Sequence, residues 1–218
     1  TLDLLINSIE QKAATVKGIT KTGRTHLMDA MPIDMSEELL AWSEQLKTSK
    51  ASIEDVCEKL LYLPQGGTAV GTGINAHKRF AKEFAKEISK LVKVKIKPSN
   101  NFYRSLSAQD LSVQLSGELK NLAVILMKVS NDLRWMNSGP LSGIGEIELQ
   151  ALQPGSSIMP GKVNPVIPEA VAMVAADVIG NDVSVTVAAQ SGNFQLNVML
   201  PVIAYNNLKS INILAGGM

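Results

Sequence analysis

The chain has 218 residues, of which 45% are apolar and 19% charged, and its 21 basic and 20 acidic side chains leave a formal charge of +1. That length suffices for a sizeable core, as one large domain or two small ones. The near-neutral balance excludes the strong pull toward polyanions that marks nucleic-acid or acidic-membrane binders, so neither partner is expected.

A single cysteine, Cys57, cannot form an internal disulfide, and no signal-peptide pattern opens the chain, so a reducing, cytoplasmic setting is expected. Cys57 sits beside Val56 and Leu60 in a helix-like run and reads as buried filler. Polar residues interrupt the longest apolar runs before about 20 positions, the length a bilayer span needs, so no membrane segment is expected. Thr1 enters directly into an amphipathic pattern and Met218 follows Gly216-Gly217 while an apolar pattern is still running. Both ends therefore read as cut from something longer.

Leu2, Leu5, Ile6, Ile9, Ala13 and Val16 recur every three or four positions, which predicts a helix ending near Gly18. The stretch from Thr20 to Pro32 has no clean period and reads as a turn-rich approach to Ser36, the expected N-cap of the next helix. From Glu37 to about Tyr62 the spacing predicts one helix or two, with a break at Ser49 to Ser52. Residues 66–73 hold four glycines, a density that suits either close backbone approach or a plain connecting loop. A basic helix is expected over His77 to Leu91, with a solvated charged face, followed by a short strand near Val92 to Ile96.

Ser107 to Trp135 carries the longest helical periodicity, apolar nearly all round between Leu122 and Met127. A helix of that length reaches roughly 40 Å at about 1.5 Å per residue. No compact two-layer domain covers it, so the chain is expected to be all-α, one long-helix bundle domain over 1–218 shared between subunits. Further helices are predicted from Pro168 to Gly180 and from Phe194 to Leu214.

Between Pro154 and Pro168 lies a loop that concentrates glycine, hydroxyl, amide and cation. Serine becomes a useful base only where amides, a helix N-terminus and a cation stabilise its oxyanion, and Ser156 is surrounded in sequence by such groups. Lys162 and Asn164 suit a carboxylate clamp; a second reading makes Lys162 a surface charge and Asn164 an N-cap. His26, among Arg24, Thr25 and Asp29, stands open between a structural and a catalytic role. His77 reads as exposed, and two histidines so far apart give no metal-ligand spacing.

Gly155-Ser156-Ser157-Ile158-Met159-Pro160-Gly161-Lys162-Val163-Asn164-Pro165 resembles the signature loop of the fumarase/aspartase superfamily of lyases. Thr22 to Ala30 and Gly66 to Asn75 resemble two further segments of that family, in the same order, so the likeness runs along essentially the whole chain. Thr25-His26 and Gln65-Gly66-Gly67 are similar to class II fumarases, whereas Asn164-Pro165-Val166-Ile167-Pro168-Glu169 is closer to aspartases.

The resemblance implies a reversible anti elimination that interconverts malate and fumarate within the tricarboxylic acid cycle, with aspartate ammonia-lyase as the alternative. It makes Ser156 the base, with Ser157 beside it. Lys162, Asn164 and Thr25 hold the dicarboxylate, and His26 paired with Glu169 acts on the leaving-group side through a water. It implies no organic cofactor and no metal, and a homotetramer in which each site draws loops from three subunits. The chain resembles the family's central helical domain, so the fragment alone is expected to keep the bundle but lack a complete, active site; a helical oligomerisation module with no activity of its own is the alternative from another class.

Overall fold

A computed structural model describes residues 1–155 and 157–218; Ser156 lies outside the described residues. Seven helices dominate these residues, so the all-α class is what the periodicities form. By packing, the chain gathers into two compact units. One comprises Thr1–Lys50, Asn121–Val178 and Asn212–Met218; the other comprises Ala51–Lys120 and Ile179–Ile211.

In the first unit, α1 (Leu2–Thr15) buries Ile6 and Ala13 and ends ahead of Gly18, whose φ of 87° is readily reached only without a Cβ. The following segment is not the irregular approach expected from its lack of period. Strand β1 (Thr20–Thr25) pairs antiparallel with β2 (Met28–Asp34), and the register is irregular between Thr22 and Arg24. Polar residues on both strands erase the alternation that announces a half-buried strand.

Helix α2 (Met35–Lys59) then runs without the break expected at Ser49, a residue that is fully buried. Its cap is Asp34 rather than Ser36. One Asp34 oxygen accepts from Ser36 N at 2.8 Å and Ser36 Oγ at 2.7 Å, and the other accepts from Gly18 N at 2.8 Å. Cys57 is exposed, not buried filler: Val56 takes the inward position, and the next residue lies about 100° further round the helix. Ala13 and Val16 meet Leu39 and Trp42 of α2 and Val129 and Met136 of α5 (Asp110–Met136) in this unit's core.

The second unit holds a two-residue parallel pairing of β3 (Tyr62–Leu63) with β4 (Lys97–Pro98), the latter slightly beyond the strand expected at 92–96. Between them, α3 (Phe80–Val92) forms, and α4 (Phe102–Ser107) precedes α5. Asn101 Oδ1 caps α4 by accepting from Arg104 N at 3.1 Å.

Helix α6 (Val166–Gln190) passes through Gly180 rather than stopping there, and α7 (Leu200–Gly217) begins six residues after the expected start at Phe194. Val185, Ala188 and Ile203 form this unit's core, with Val113 against them.

By length and composition α6 is apolar enough to cross a bilayer, with a mean hydropathy of 1.5 over its apolar window. As expected of the apolar runs, charged and amide residues interrupt it: Glu169, Asp177, Asn181 and Asp182. Its polar residues nonetheless find protein partners: Asp182 pairs with Lys120, and Asn181 Nδ2 donates to Ser210 Oγ at 3.2 Å.

Candidate functional site

The end of α5 and the start of α6 frame the loop with the richest chemistry. After Met136 the chain doubles back on itself: Gly145 N donates to Ser138 O at 2.8 Å, Ile144 N to Ser138 Oγ at 2.9 Å and Leu149 N to Asn137 Oδ1 at 2.8 Å. A Cβ at Gly143 would lie 2.2 Å from the Ser138 carbonyl carbon, so this turn accepts only glycine.

The signature stretch is equally tight. A Cβ at Gly155 would stand 2.3 Å from Lys162 O, and Lys162 N donates to Met159 O at 3.2 Å. Pro165, not Asn164, is the residue before α6, and Val166 N donates to Asn164 O at 2.9 Å.

These loops enclose a cavity of about 380 Å³ lined by Lys162, Asn164 and Glu169, by Asn131 and Arg134 from the last turns of α5, and by Asn137 and Ser138. Two cations, several amide and hydroxyl donors and one carboxylate therefore converge. Such a set binds an anion and keeps one acceptor in reach. Among the described residues Lys162 makes no ion pair, while Arg134 Nη1 donates to Asn131 Oδ1 at 3.0 Å. Ser157 is exposed in the loop, and the position expected for the base, Ser156, lies outside the described residues.

Thr25 and His26 stand elsewhere in the same unit, at the end of the hairpin. Thr25 pairs with Met28, leaving His26 and Leu27 as the two turn residues with φ of 54° and 60°. Both are exposed. Paired left-handed residues are the signature of a type I′ turn, which matches the twist of the flanking strands. Among the described residues no hydrogen bond or ion pair joins His26 to Glu169. Lys162, Asn164 and Glu169 thus share one cavity, and Thr25 and His26 share one turn.

The sequence reading missed a charged network at the root of this hairpin. Arg24 Nη1 donates to Glu146 Oε1 at 2.6 Å, Lys21 Nζ lies 3.0 Å from Glu146 Oε2, and Lys21 also pairs with Glu38. A second cavity of about 620 Å³ lies beside it, lined among others by Ile19, Lys21, Arg24, Met35 and Glu146. Its signal in the sequence was weak: a lysine and an arginine in a short polar stretch, with the acidic partner far along the chain. Arg134 and Asn131 were hidden in the periodicity of α5.

The sequence matches the profile of a lyase family over residues 1–180, and the chain belongs to that family. The family is the fumarase/aspartase superfamily expected from the signature loop. Fumarate hydratase class II 2 of Pseudomonas aeruginosa is 61% identical over 211 residues, covering 97% of this chain and 46% of the relative. The class II fumarate hydratase of Bacillus subtilis is 48% identical over 217 residues, covering 100% and 47%.

Among solved structures, class II fumarase from Schistosoma mansoni matches with a TM-score of 0.97 at 37% identity, over 99% of this chain and 48% of that one. A fumarate lyase:delta crystallin from Brucella melitensis gives 0.95 at 45% identity, over 99% and 47%. The chain spans about half the length of the curated relatives it matches.

Proposed function

We propose that the whole protein reversibly hydrates fumarate to L-malate, as a class II fumarate hydratase. The observation that carries this reading is the single cavity lined by Lys162, Asn164 and Glu169, in a chain 61% identical to a protein of that name. In the elimination direction, Ser156 takes the proton beside one carboxylate of malate. The charge that then gathers on that carboxylate is met by the Lys162 ammonium and the Asn164 amide, donors in place before the reaction starts. Thr25 helps hold the dicarboxylate, with Ser157 beside the base. His26 assists the departing hydroxyl through a water, and Glu169 orients the imidazole.

The same reading makes the protein a cytoplasmic homotetramer of the tricarboxylic acid cycle. Exposed apolar side chains support the assembly: Leu27, Met28 and Met31 on the hairpin and Met173, Val183 and Val187 on α6 all face solvent in the single chain. A second copy is the natural cover for surfaces of that character. His26 and Glu169 would then meet between subunits.

Fumarate formation from malate, followed by ultraviolet absorbance, tests the reaction in the whole protein, and absence of turnover would sink it. Asn164-Pro165-Val166-Ile167-Pro168-Glu169 favours a second reading, aspartate ammonia-lyase. Ammonia release from aspartate without malate turnover would establish that instead. The 218 residues alone are read as lacking a complete site, with a helical oligomerisation module as the alternative, and robust malate turnover by them would overturn both.

A further inference from the structure

Two cations of β1 converge on Glu146, through Lys21 at 3.0 Å and Arg24 at 2.6 Å. The group is well covered: the Glu146 side chain is 15% exposed and that of Lys21 8%. From this centre the chain of charges runs both ways, to Glu38 in the first turn of α2 through Lys21 and to Asp29 on β2 through Arg24, whose Nε lies 3.9 Å away. Arg24 is the residue before Thr25.

The backbone of Glu146 belongs to a different structure. Its N–H donates to Met136 O at 2.8 Å, and Ile147 N reaches the same oxygen at 3.3 Å. Glu146 thus rides on the end of α5, the helix end that brings Arg134 and Asn137 to the cavity of Lys162 and Asn164. Its carboxylate meanwhile grips the strand that carries Thr25 and His26.

The strand is otherwise held by its ladder to β2 and, at the base of the hairpin, by the 2.8 Å bond from Met35 N to Ile19 O and by Asp34, which accepts from Gly18 N. An isolated two-stranded hairpin is marginal in water, and a cavity of about 620 Å³ opens on its Lys21 and Arg24 side. A charge-assisted contact in so covered a setting is both strong and directional.

We infer that Glu146 is a positioning residue: by clamping β1 through Lys21 and Arg24 to the end of α5, it sets where Thr25 and His26 stand on their own subunit, and so how they are presented to the Lys162 and Asn164 of the neighbouring copy with which they complete a site. This rests on the fumarate hydratase reading for the roles of those four residues. It adds a group that touches no reacting atom. Displacing a catalytic group by about 1 Å can cost on the order of a hundredfold in rate, so the clamp need move only slightly to matter.

The test uses the whole protein with Glu146→Gln, Arg24→Gln and the double variant. Malate turnover and amide hydrogen exchange over residues 20–34 are both measured. Glu146→Gln is expected to lower kcat about tenfold or more, to speed exchange in the hairpin and to leave exchange in the middle of α5 and α6 unchanged. Because Glu146 acts through Arg24, the double variant is expected to lose no more than the worse single one.

Unchanged kcat with unchanged hairpin exchange, or losses that simply add, would overturn the clamp. If the unaltered protein makes no fumarate from malate, the functional reading fails by itself. Hairpin exchange in Glu146→Gln, which needs no substrate, then still decides the inference.

Discussion

Lys120 Nζ lies 2.5 Å from an Asp182 carboxylate oxygen, joining α5 to α6 in the second unit with only 8% of the aspartate side chain exposed and 43% of the lysine's. The two partners are unequal. Removing the lysine strands a nearly buried carboxylate, whereas neutralising the aspartate leaves a lysine that can reach water. Lys120→Met should therefore destabilise by about 2 kcal/mol, short of the cost of a fully buried pair because the lysine is half-exposed. Asp182→Asn should cost clearly less. Urea denaturation of both variants checks the order, and equal losses would contradict it.

The network around Glu146 carries a pH signature. Burial by itself would push the Glu146 carboxyl up, but the Arg24 hydrogen bond and the Lys21 ammonium 3.0 Å away outweigh it and hold the group below its ordinary 4.5. Burial likewise pushes Lys21 down, and its bonds to Glu38 and Glu146 hold it above 10.5. A depressed carboxyl contributes stability that is complete above 4.5 and lost as pH falls through its folded-state value. A raised lysine contributes stability that is complete below 10.5 and lost as pH rises through its folded-state value. Melting temperatures should accordingly fall less steeply with acidification below 4.5 in Glu146→Gln than in the unaltered protein. In Lys21→Met the alkaline decline above 10.5 should flatten. Parallel profiles would exclude these two groups as the source.

Gly155 and Gly161 bracket the same loop but are glycine for different reasons. At Gly155 an added Cβ would meet Lys162 O at 2.3 Å and Lys162 N at 3.0 Å, backbone atoms that cannot swing aside. At Gly161 a Cβ meets nothing within 4 Å, and only its φ of 84° disfavours a side chain. Gly155→Ala should then displace Lys162 and lower malate turnover by about tenfold or more, because the clamp on the carboxylate moves. Gly161→Ala should cost about 1 kcal/mol of local strain and much less turnover. Side-by-side kinetics decide it; a larger loss at Gly161 would mean that loop strain, not the Lys162 contact, governs the site.

The long helices were legible because their apolar positions recur with helical spacing, and Leu122, Ala123 and Leu126 are indeed buried. Lys162 and Asn164 were legible as a pair because they stand two positions apart in one loop, whereas Glu169, which lines the same cavity, entered only through the family resemblance, as the partner of His26. The hairpin was not, since Thr20 to Thr25 has polar residues on both faces and stands only with partners. Arg24 and Glu146 are separated by 122 positions, and no local pattern in a single sequence joins residues so far apart. Asp34 displaced Ser36 as the cap because its carboxylate reaches back to Gly18 as well as forward, a geometry that residue type alone does not specify.

The turn that carries His26 makes the last prediction. His26 and Leu27 both hold positive φ, a conformation that costs a non-glycine residue about 1 kcal/mol or more. Leu27→Gly removes that cost at the position where type I′ turns favour glycine, and should raise the melting temperature by about 2 to 4 °C per kcal/mol relieved. His26→Gln keeps a polar side chain in the same turn but supplies no group able to exchange a proton near neutral pH. If His26 acts on the leaving-group side, malate turnover should fall by about a hundredfold or more, with melting temperature and assembly unchanged. Full turnover by His26→Gln would take the histidine out of the mechanism and leave it a turn residue. A drop in turnover matched by loss of assembly, read by light scattering, would place its role at a subunit contact instead.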